Sequence, residues 1–181
     1  MARQIYQLKI TLGDVAPPIW RRVLVPGGYT LDRLHRVIQH AMGWQDYHLH
    51  SFEIDGHQYG EPDPDGELVL LDELDARLDA VVGKGGQFGY TYDFGDWWEH
   101  KILVEDVFPA EPGERYPVCV AGERACPPED VGGPRAYVEL IEALSNAEHA
   151  RHVAWRDWLG RRYDPETFLP DIASTLLRRM A

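Results

Sequence analysis

The sequence predicts an α+β fold, with a mostly antiparallel sheet, helices on one face of it and a helical C-terminal third. Three observations support this prediction. Apolar and polar residues alternate in several stretches of residues 1–107, which is typical of half-buried strands. In residues 30–42 apolar residues instead recur every three or four positions, which indicates an amphipathic helix. Residues 134–181 contain three further stretches of helical spacing.

Two strands and one helix are predicted at the beginning of the chain. Residues 4–12 and 19–25 alternate as strands do, and we expect them to pair with each other. Thr30 is a good N-cap because its hydroxyl can accept a backbone N–H of the first helical turn. Gly43 is suited to end the helix, since glycine adopts left-handed backbone angles at little cost.

A tight hairpin is predicted next. Residues 48–54 alternate as a strand, and Asp55-Gly56 is the strongest short signal for a two-residue hairpin turn. A short strand over residues 67–71 and a short helix over residues 72–82 follow.

The stretch YTYDFGDWWEHKILV, residues 90–104, predicts a second hairpin. The apolar residues of its two strands share one face only if Tyr92 lies opposite Trp98 and Tyr90 lies opposite His100. This register requires an odd loop of three or five residues with a bulge.

The tip of this second hairpin should depend on two residues. We expect Gly95 to have a positive φ, which glycine adopts at little cost. We expect the Asp93 carboxylate to accept backbone N–H bonds across the tip, as aspartate commonly does in turns.

The remaining chain is rich in proline and glycine and then helical. A structureless loop of this length would be unusual, so we expect an irregular segment packed over the sheet before three helices, at residues 134–147, 148–159 and 171–180. We expect one domain, residues 1–181, made of a sheet core, an irregular segment and a helical part, at residues 1–107, 108–133 and 134–181.

Composition limits the function classes. The chain has 181 residues and a formal net charge of −12, so its surface repels phosphate backbones and nucleic-acid binding is not expected. The two cysteines give no disulfide framework and suit a reducing compartment. Neither a signal peptide nor an apolar run of membrane-spanning length is evident, so we expect a cytoplasmic protein without a membrane partner.

Two sets of side chains are candidates for function. One is a polar or ligand site of histidines and carboxylates: His48, His50, Asp93, Asp96, His100, Glu129 and Asp130. The other is an aromatic binding surface of four tryptophans: Trp20, Trp44, Trp97 and Trp98.

The polar set has two interpretations. His48 and His50 lie on the same side of a predicted strand, a spacing that metal sites use. Asp93, Asp96 and His100 could complete a ligand shell if the two hairpins meet. In the alternative, the acids cap a tight turn and the histidines are ordinary strand residues. No catalytic residue, cofactor or metal is assigned from the sequence.

Five motifs occur in order along nearly the whole chain: PPIWRRV (17–23), LHRVIQHAMGW (34–44), HLHSF (48–52), YTYDFGDWWEH (90–100) and CPPEDVGG (126–133). With them the chain resembles the plasmid pRi ORF-three-like family, whose members also appear as passenger proteins of insertion elements, some with a resolvase-type label. The resemblance implies a small bacterial cytosolic protein linked to mobile DNA, without an established biochemical activity.

Three functions follow from these observations. The first is a binding or interaction module, because aromatic residues surround acids without a recognisable catalytic set; its partner would be a protein, a peptide or a basic ligand. The second is a metal-dependent hydrolytic enzyme that uses the histidine and aspartate cluster. The third, a nucleic-acid factor of a mobile element, is implied by the family context alone.

Overall fold

The structure is a computed structural model that describes residues 3–62, 70–160 and 163–180. Within these residues eight strands form one sheet: β1 (Gln4–Leu12), β2 (Trp20–Pro26), β3 (His50–Ile54), β4 (His57–Gly60), β5 (Leu71–Asp72), β6 (Gln87–Tyr92), β7 (Trp98–Pro109) and β8 (Val118–Glu123). The helices are α1 (Leu31–Met42), α2 (Leu78–Val81), α3 (Gly133–Ser145), α4 (His152–Leu159) and α5 (Pro170–Leu177), followed by a 3₁₀ turn (Arg178–Met180).

The predicted fold class is wrong. The strand order is β5-β4-β3-β6-β7-β1-β2-β8, and β5 runs parallel to β4, so the sheet is mixed. The chain is mostly a sheet with small helices and has no helical C-terminal third. Apolar spacing predicted longer C-terminal helices than the structure has, because it does not detect turns. The His149 N–H donates to the Asn146 carbonyl in such a turn, and α4 begins only at His152.

The segment predicted to be irregular, residues 108–133, contains an edge strand. Strand β8 pairs antiparallel with β2, with Trp20 opposite Glu123 and a register shift between Arg22 and Val23. The buried Ser174 of α5 donates its hydroxyl to the Cys119 carbonyl and accepts the Cys119 N–H. The C-terminal helices are therefore attached to the sheet through this strand.

Helix α1 covers the buried face of the sheet. Its apolar side chains belong to the same continuous core as the inward residues of β1, β2, β6 and β7. Gly43 ends the helix as predicted, with φ 102°, and its N–H donates to the Gln39 carbonyl at 2.8 Å. Thr30 occupies the N-cap position, but its hydroxyl donates to Asp32 and caps no backbone N–H.

Both predicted hairpins are present. Asp55 and Gly56 have φ values of 49° and 77°, the two positive angles that a tight two-residue turn requires. The strand predicted over residues 67–71 lies partly outside the described residues, and β5 begins at Leu71. The predicted helix over residues 72–82 is reduced to α2.

The register of the second hairpin is confirmed. Tyr92 lies opposite Trp98 and Tyr90 lies opposite His100. Between β6 and β7 the loop has five residues, 93–97, one of the two predicted odd lengths.

The tip of the second hairpin confirms one prediction and contradicts another. Asp93 Oδ1 accepts the N–H groups of Gly95 and Asp96 at 2.9 and 3.2 Å, as expected. Gly95 does not have the predicted positive φ; Asp93 and Trp97 do, at 57° and 59°. The loop closes through the Trp97 N–H and the Asp93 carbonyl, which places the left-handed angles at its two ends.

The opposite face of the sheet, here called the outer face, is polar. On β3, β6 and β7 the residues of this face alternate with the buried ones and include Ser51, Glu53, Gly89, Thr91, Glu99 and Lys101. Among the residues that the structure describes, none of the helices has the length and apolar character needed to cross a bilayer.

Candidate functional site

Three segments of the chain meet beside the tip of the β6–β7 hairpin. They are the loop after α1, the tip itself and residues 126–133, and together we call them the junction. His48 Nε2 lies 3.1 Å from Asp130 Oδ1 and 3.6 Å from Asp93 Oδ2. Thus each segment contributes at least one of the predicted polar residues.

Hydrogen bonds to the other two segments hold residues 126–133 in place. The Gly132 N–H donates to Asp96 Oδ2 at 2.9 Å, and Trp44 Nε1–H donates to the Pro127 carbonyl at 3.0 Å. A Cβ on Gly133 would lie 2.6 Å from the Asp96 carbonyl oxygen, so glycine is required for this close approach. Asp96 is therefore an anchor for the segment.

Glu129 is also an anchor. Its Oε1 accepts the Gln45 N–H at 2.8 Å and the Tyr92 hydroxyl at 3.1 Å. Burial raises the pKa of Tyr92, so this hydroxyl keeps its proton and can donate it to the carboxylate. Glu129 thus joins the loop after α1 to β6.

His50 lies apart from the junction, in a second polar cluster. Its ring stacks on His35 with 3.4 Å between ring centroids, and its Nε2 lies 2.8 Å from Glu73 Oε2. A cavity of about 810 Å³ opens over these rings, and His48 and Tyr47 also line it.

A buried network fixes the tautomer of His35. Gln39 Nε2 donates to the Tyr90 hydroxyl at 3.0 Å, and that hydroxyl contacts His35 Nδ1 at 2.8 Å. The Asp46 carboxylate can only accept, so the proton of neutral His35 is on Nε2, 2.7 Å from Asp46 Oδ1, and Nδ1 accepts the Tyr90 hydroxyl proton. Burial, with His50 alongside, lowers the pKa of His35 from 6.5 to about 4.

His100 is buried in the core. Its ring meets Trp44 edge-on with centroids 5.3 Å apart, and its Nδ1 lies 3.3 Å from the Tyr90 carbonyl. Burial lowers the pKa of His100 from 6.5 to about 4. His100 therefore packs on the loop after α1 through Trp44 and does not belong to the group of His48, Asp93 and Asp130.

The four tryptophans do not form one surface. Trp44 and Trp98 are 5% and 1% exposed and belong to the core. Trp20 lies under Lys9 on the sheet, whereas Trp97 is 53% exposed at the hairpin tip. Trp97 alone combines high exposure with a place beside the predicted polar residues.

Sequence reasoning missed His35, Asp46 and Glu73. His35 did give a signal, because it falls on the buried face of α1 at helical spacing from Leu31 and Ile38, where a histidine needs polar partners. Glu73 gave no local signal, since its contact with His50 depends on how the chain returns beside β4.

The fold and these sites define a small mixed-sheet protein with polar clusters where its loops meet one hairpin. The chain belongs to the plasmid pRiA4b ORF-3-like protein family, whose model matches residues 4–171. The resemblance seen in the sequence motifs is thereby confirmed.

Two relatives show the extent of the likeness. The uncharacterized protein y4hQ of Sinorhizobium fredii (strain NBRC 101917 / NGR234) is 43% identical over 162 residues, which cover 88% of this chain and 83% of that protein. The crystal structure of MM3350, a protein of unknown function from Methanosarcina mazei Go1, superposes with a TM-score of 0.88 at 39% identity. That match covers 94% of this chain and 98% of the other.

Proposed function

We propose that this domain is a binding module and that its ligand is a basic peptide segment of a partner protein. The observation that supports this proposal is a groove of about 810 Å³ on the outer face of β3, β6 and β7. Gly89 lies in its floor between Glu53 and Lys101, and the absent side chain leaves room for a ligand.

Charge favours a basic ligand. Glu53, Asp55 and Glu99 line the groove and outnumber the one lysine there, Lys101. The whole chain has a formal net charge of −12, so its field attracts cations over a distance of about 10 Å at 0.1 M salt.

Aromatic side chains border the same groove. The Nε1–H of the exposed Trp97 ring donates to Glu99 Oε1 at 2.9 Å. The ring centroids of Trp97 and Phe94 lie 5.8 Å apart. The positive φ of Trp97 costs of order 1–3 kcal/mol, a kind of strain that clusters at ligand sites. An indole face held in this way suits the guanidinium of an arginine.

Groove filling provides the test. A Cβ on Gly89 would be 3.6 Å from the Glu53 Cβ, an ordinary contact, so the sheet should accept Gly89→Val. The probe is a fluorescein-labelled arginine-rich nonapeptide, followed by fluorescence anisotropy at low salt. We expect Gly89→Val and Trp97→Ala each to weaken binding at least tenfold, with melting temperatures near that of the wild type.

A charge control separates a groove from general attraction. The pair Glu53→Gln with Glu99→Gln removes two groove acids, and Glu111→Gln with Glu114→Gln removes two exposed acids elsewhere. The groove pair should weaken binding and the remote pair should leave it unchanged. Equal effects of the two pairs, or full affinity in Gly89→Val, would contradict the proposal.

A further inference from the structure

We propose that His48, Asp93 and Asp130 form a binding site for a divalent transition-metal ion of the Zn²⁺ class. One atom from each residue can be chosen so that all three lie within 4.8 Å of one another. The site uses atoms outside the outer-face groove, so it is independent of the binding function proposed above.

The distances fit a coordination shell. Zinc binds imidazole nitrogen and carboxylate oxygen at about 2.0–2.2 Å, which places neighbouring tetrahedral ligands about 3.4 Å apart. The separations of 3.1 and 3.6 Å from His48 Nε2 to the two aspartates lie on either side of that value. An imidazole with two carboxylates also favours a transition metal over Mg²⁺ or Ca²⁺, which prefer oxygen ligands.

The ligand atoms are available. His48 Nε2 is buried, and its contacts with the two aspartate oxygens, at 3.1 and 3.6 Å, lack hydrogen-bond geometry, which is unusual for a buried polar atom. Asp93 is only 6% exposed; its Oδ1 accepts the two N–H groups of the turn, and its Oδ2 faces His48. A cation between these atoms would give each of them a partner.

Both aspartates of the site have unusual backbone angles. Asp93 and Asp130 each have a φ of 57°, an angle that costs energy for residues other than glycine. Asp93 is fixed by its turn, and Asp130 is fixed between the anchored Glu129 and Gly132. The backbone of both aspartates is therefore in place before any ion binds.

The site is open on one side. Asp130 has a side-chain exposure of 68%, so an ion can enter from solvent past this residue. Three protein ligands leave a fourth position of the tetrahedron for a water molecule or for an exogenous ligand.

The experiment uses the full chain, purified without a histidine tag and freed of metal with a chelator. Zn²⁺ is titrated calorimetrically, and melting temperatures are measured with and without it. We expect one Zn²⁺ per chain and a higher melting temperature with the ion, because it links three segments in the folded state only. Mg²⁺ at the same concentration should give neither effect.

Matched variants locate the site. Asp130→Asn accepts a positive φ and removes the charge, and it should weaken Zn²⁺ binding at least tenfold while the metal-free melting temperature stays unchanged. Asp55→Asn is its control, an exposed aspartate with a φ of 49° far from the junction, and should bind as the wild type does. His48→Gln should abolish binding, and His57→Gln should not. Absence of binding by the wild type, or wild-type affinity in Asp130→Asn or His48→Gln, would overturn the proposal.

Discussion

Two buried histidines bind protons less readily in the folded protein than in the unfolded chain. Burial lowers the pKa of both His35 and His100 from 6.5 to about 4; nearby His50 adds to the effect at His35, and Arg21 does so at His100. The unfolded chain, whose histidines titrate near 6.5, therefore binds more protons between these two pH values. Stability should be complete above pH 6.5 and should decrease as the pH falls toward 4.

We predict that His100→Phe reduces this acid sensitivity. Each histidine can account for a loss on the order of 3 kcal/mol once it is forced to ionise. The phenylalanine ring can occupy the same site against Trp44, and it cannot be protonated. Urea unfolding at pH 7 and at pH 5 should show a smaller difference for this variant than for the wild type.

An exposed histidine provides the comparison for that experiment. His57→Gln should retain the wild-type pH dependence, because His57 lies at the surface. If His100→Phe lost as much stability between pH 7 and pH 5 as the wild type does, the buried imidazole would not be responsible.

At the hairpin tip the sequence predicted pairing better than backbone angles. Apolar alternation determined which residues face each other, because a slip by one residue would move Tyr92 and Trp98 to opposite faces. The φ angles within the loop depend on hydrogen bonds of the Asp93 carbonyl and carboxylate, which composition does not reveal. A glycine at Gly95 was therefore not sufficient to identify the left-handed position.

Among the elements, the anchored segment 126–133 determines the shape of the junction. Gly133 has a φ of 79° and lies against the Asp96 backbone, so a side chain there meets both backbone strain and a steric clash. We predict that Gly133→Ala lowers the free energy of unfolding by more than the 1 kcal/mol or so of strain alone. Because the displaced segment contains Asp130, the variant should also bind Zn²⁺ more weakly than the wild type, as measured by calorimetry.

The variant Gly113→Ala is the control that separates backbone strain from the steric clash. Gly113 has a φ of 87° and nothing within 4 Å of the position of a Cβ, so this variant reports strain without a clash. Equal losses of stability in the two variants would show that the close contact with Asp96 does not add to the destabilisation by Gly133→Ala.

Elements defined by long-range pairing were harder to predict than those with local patterns. Strands β1 and β2, helix α1 and both hairpins follow from periodicity and turn residues within short windows. Strand β8 was missed because only the edge of β2 gives its residues a pairing partner. The junction also depends on long-range contacts, because His48, Asp93 and Asp130 are far apart in sequence and meet only in the folded chain.

At the scale of the whole molecule, charge gives the clearest functional expectation. With a formal net charge of −12 the protein should not bind the phosphate backbone, even though its family is named after a plasmid protein. We predict no mobility shift of a 30-base-pair duplex at 20 mM salt, where attraction to phosphates would be strongest. A shift that disappears with added salt would contradict this expectation and favour the nucleic-acid alternative.

The strand order also has a kinetic consequence. Strand β1 lies in the interior of the sheet between β2 and β7, and its first residue, Gln4, pairs with Pro109. During synthesis β1 and β2 can pair early, but the other edge of β1 has no partner until more than half of the chain has left the ribosome. Such separated pairings slow folding and leave a strand edge open to other chains. Nascent chains that stop before residue 109 should therefore be especially prone to aggregate.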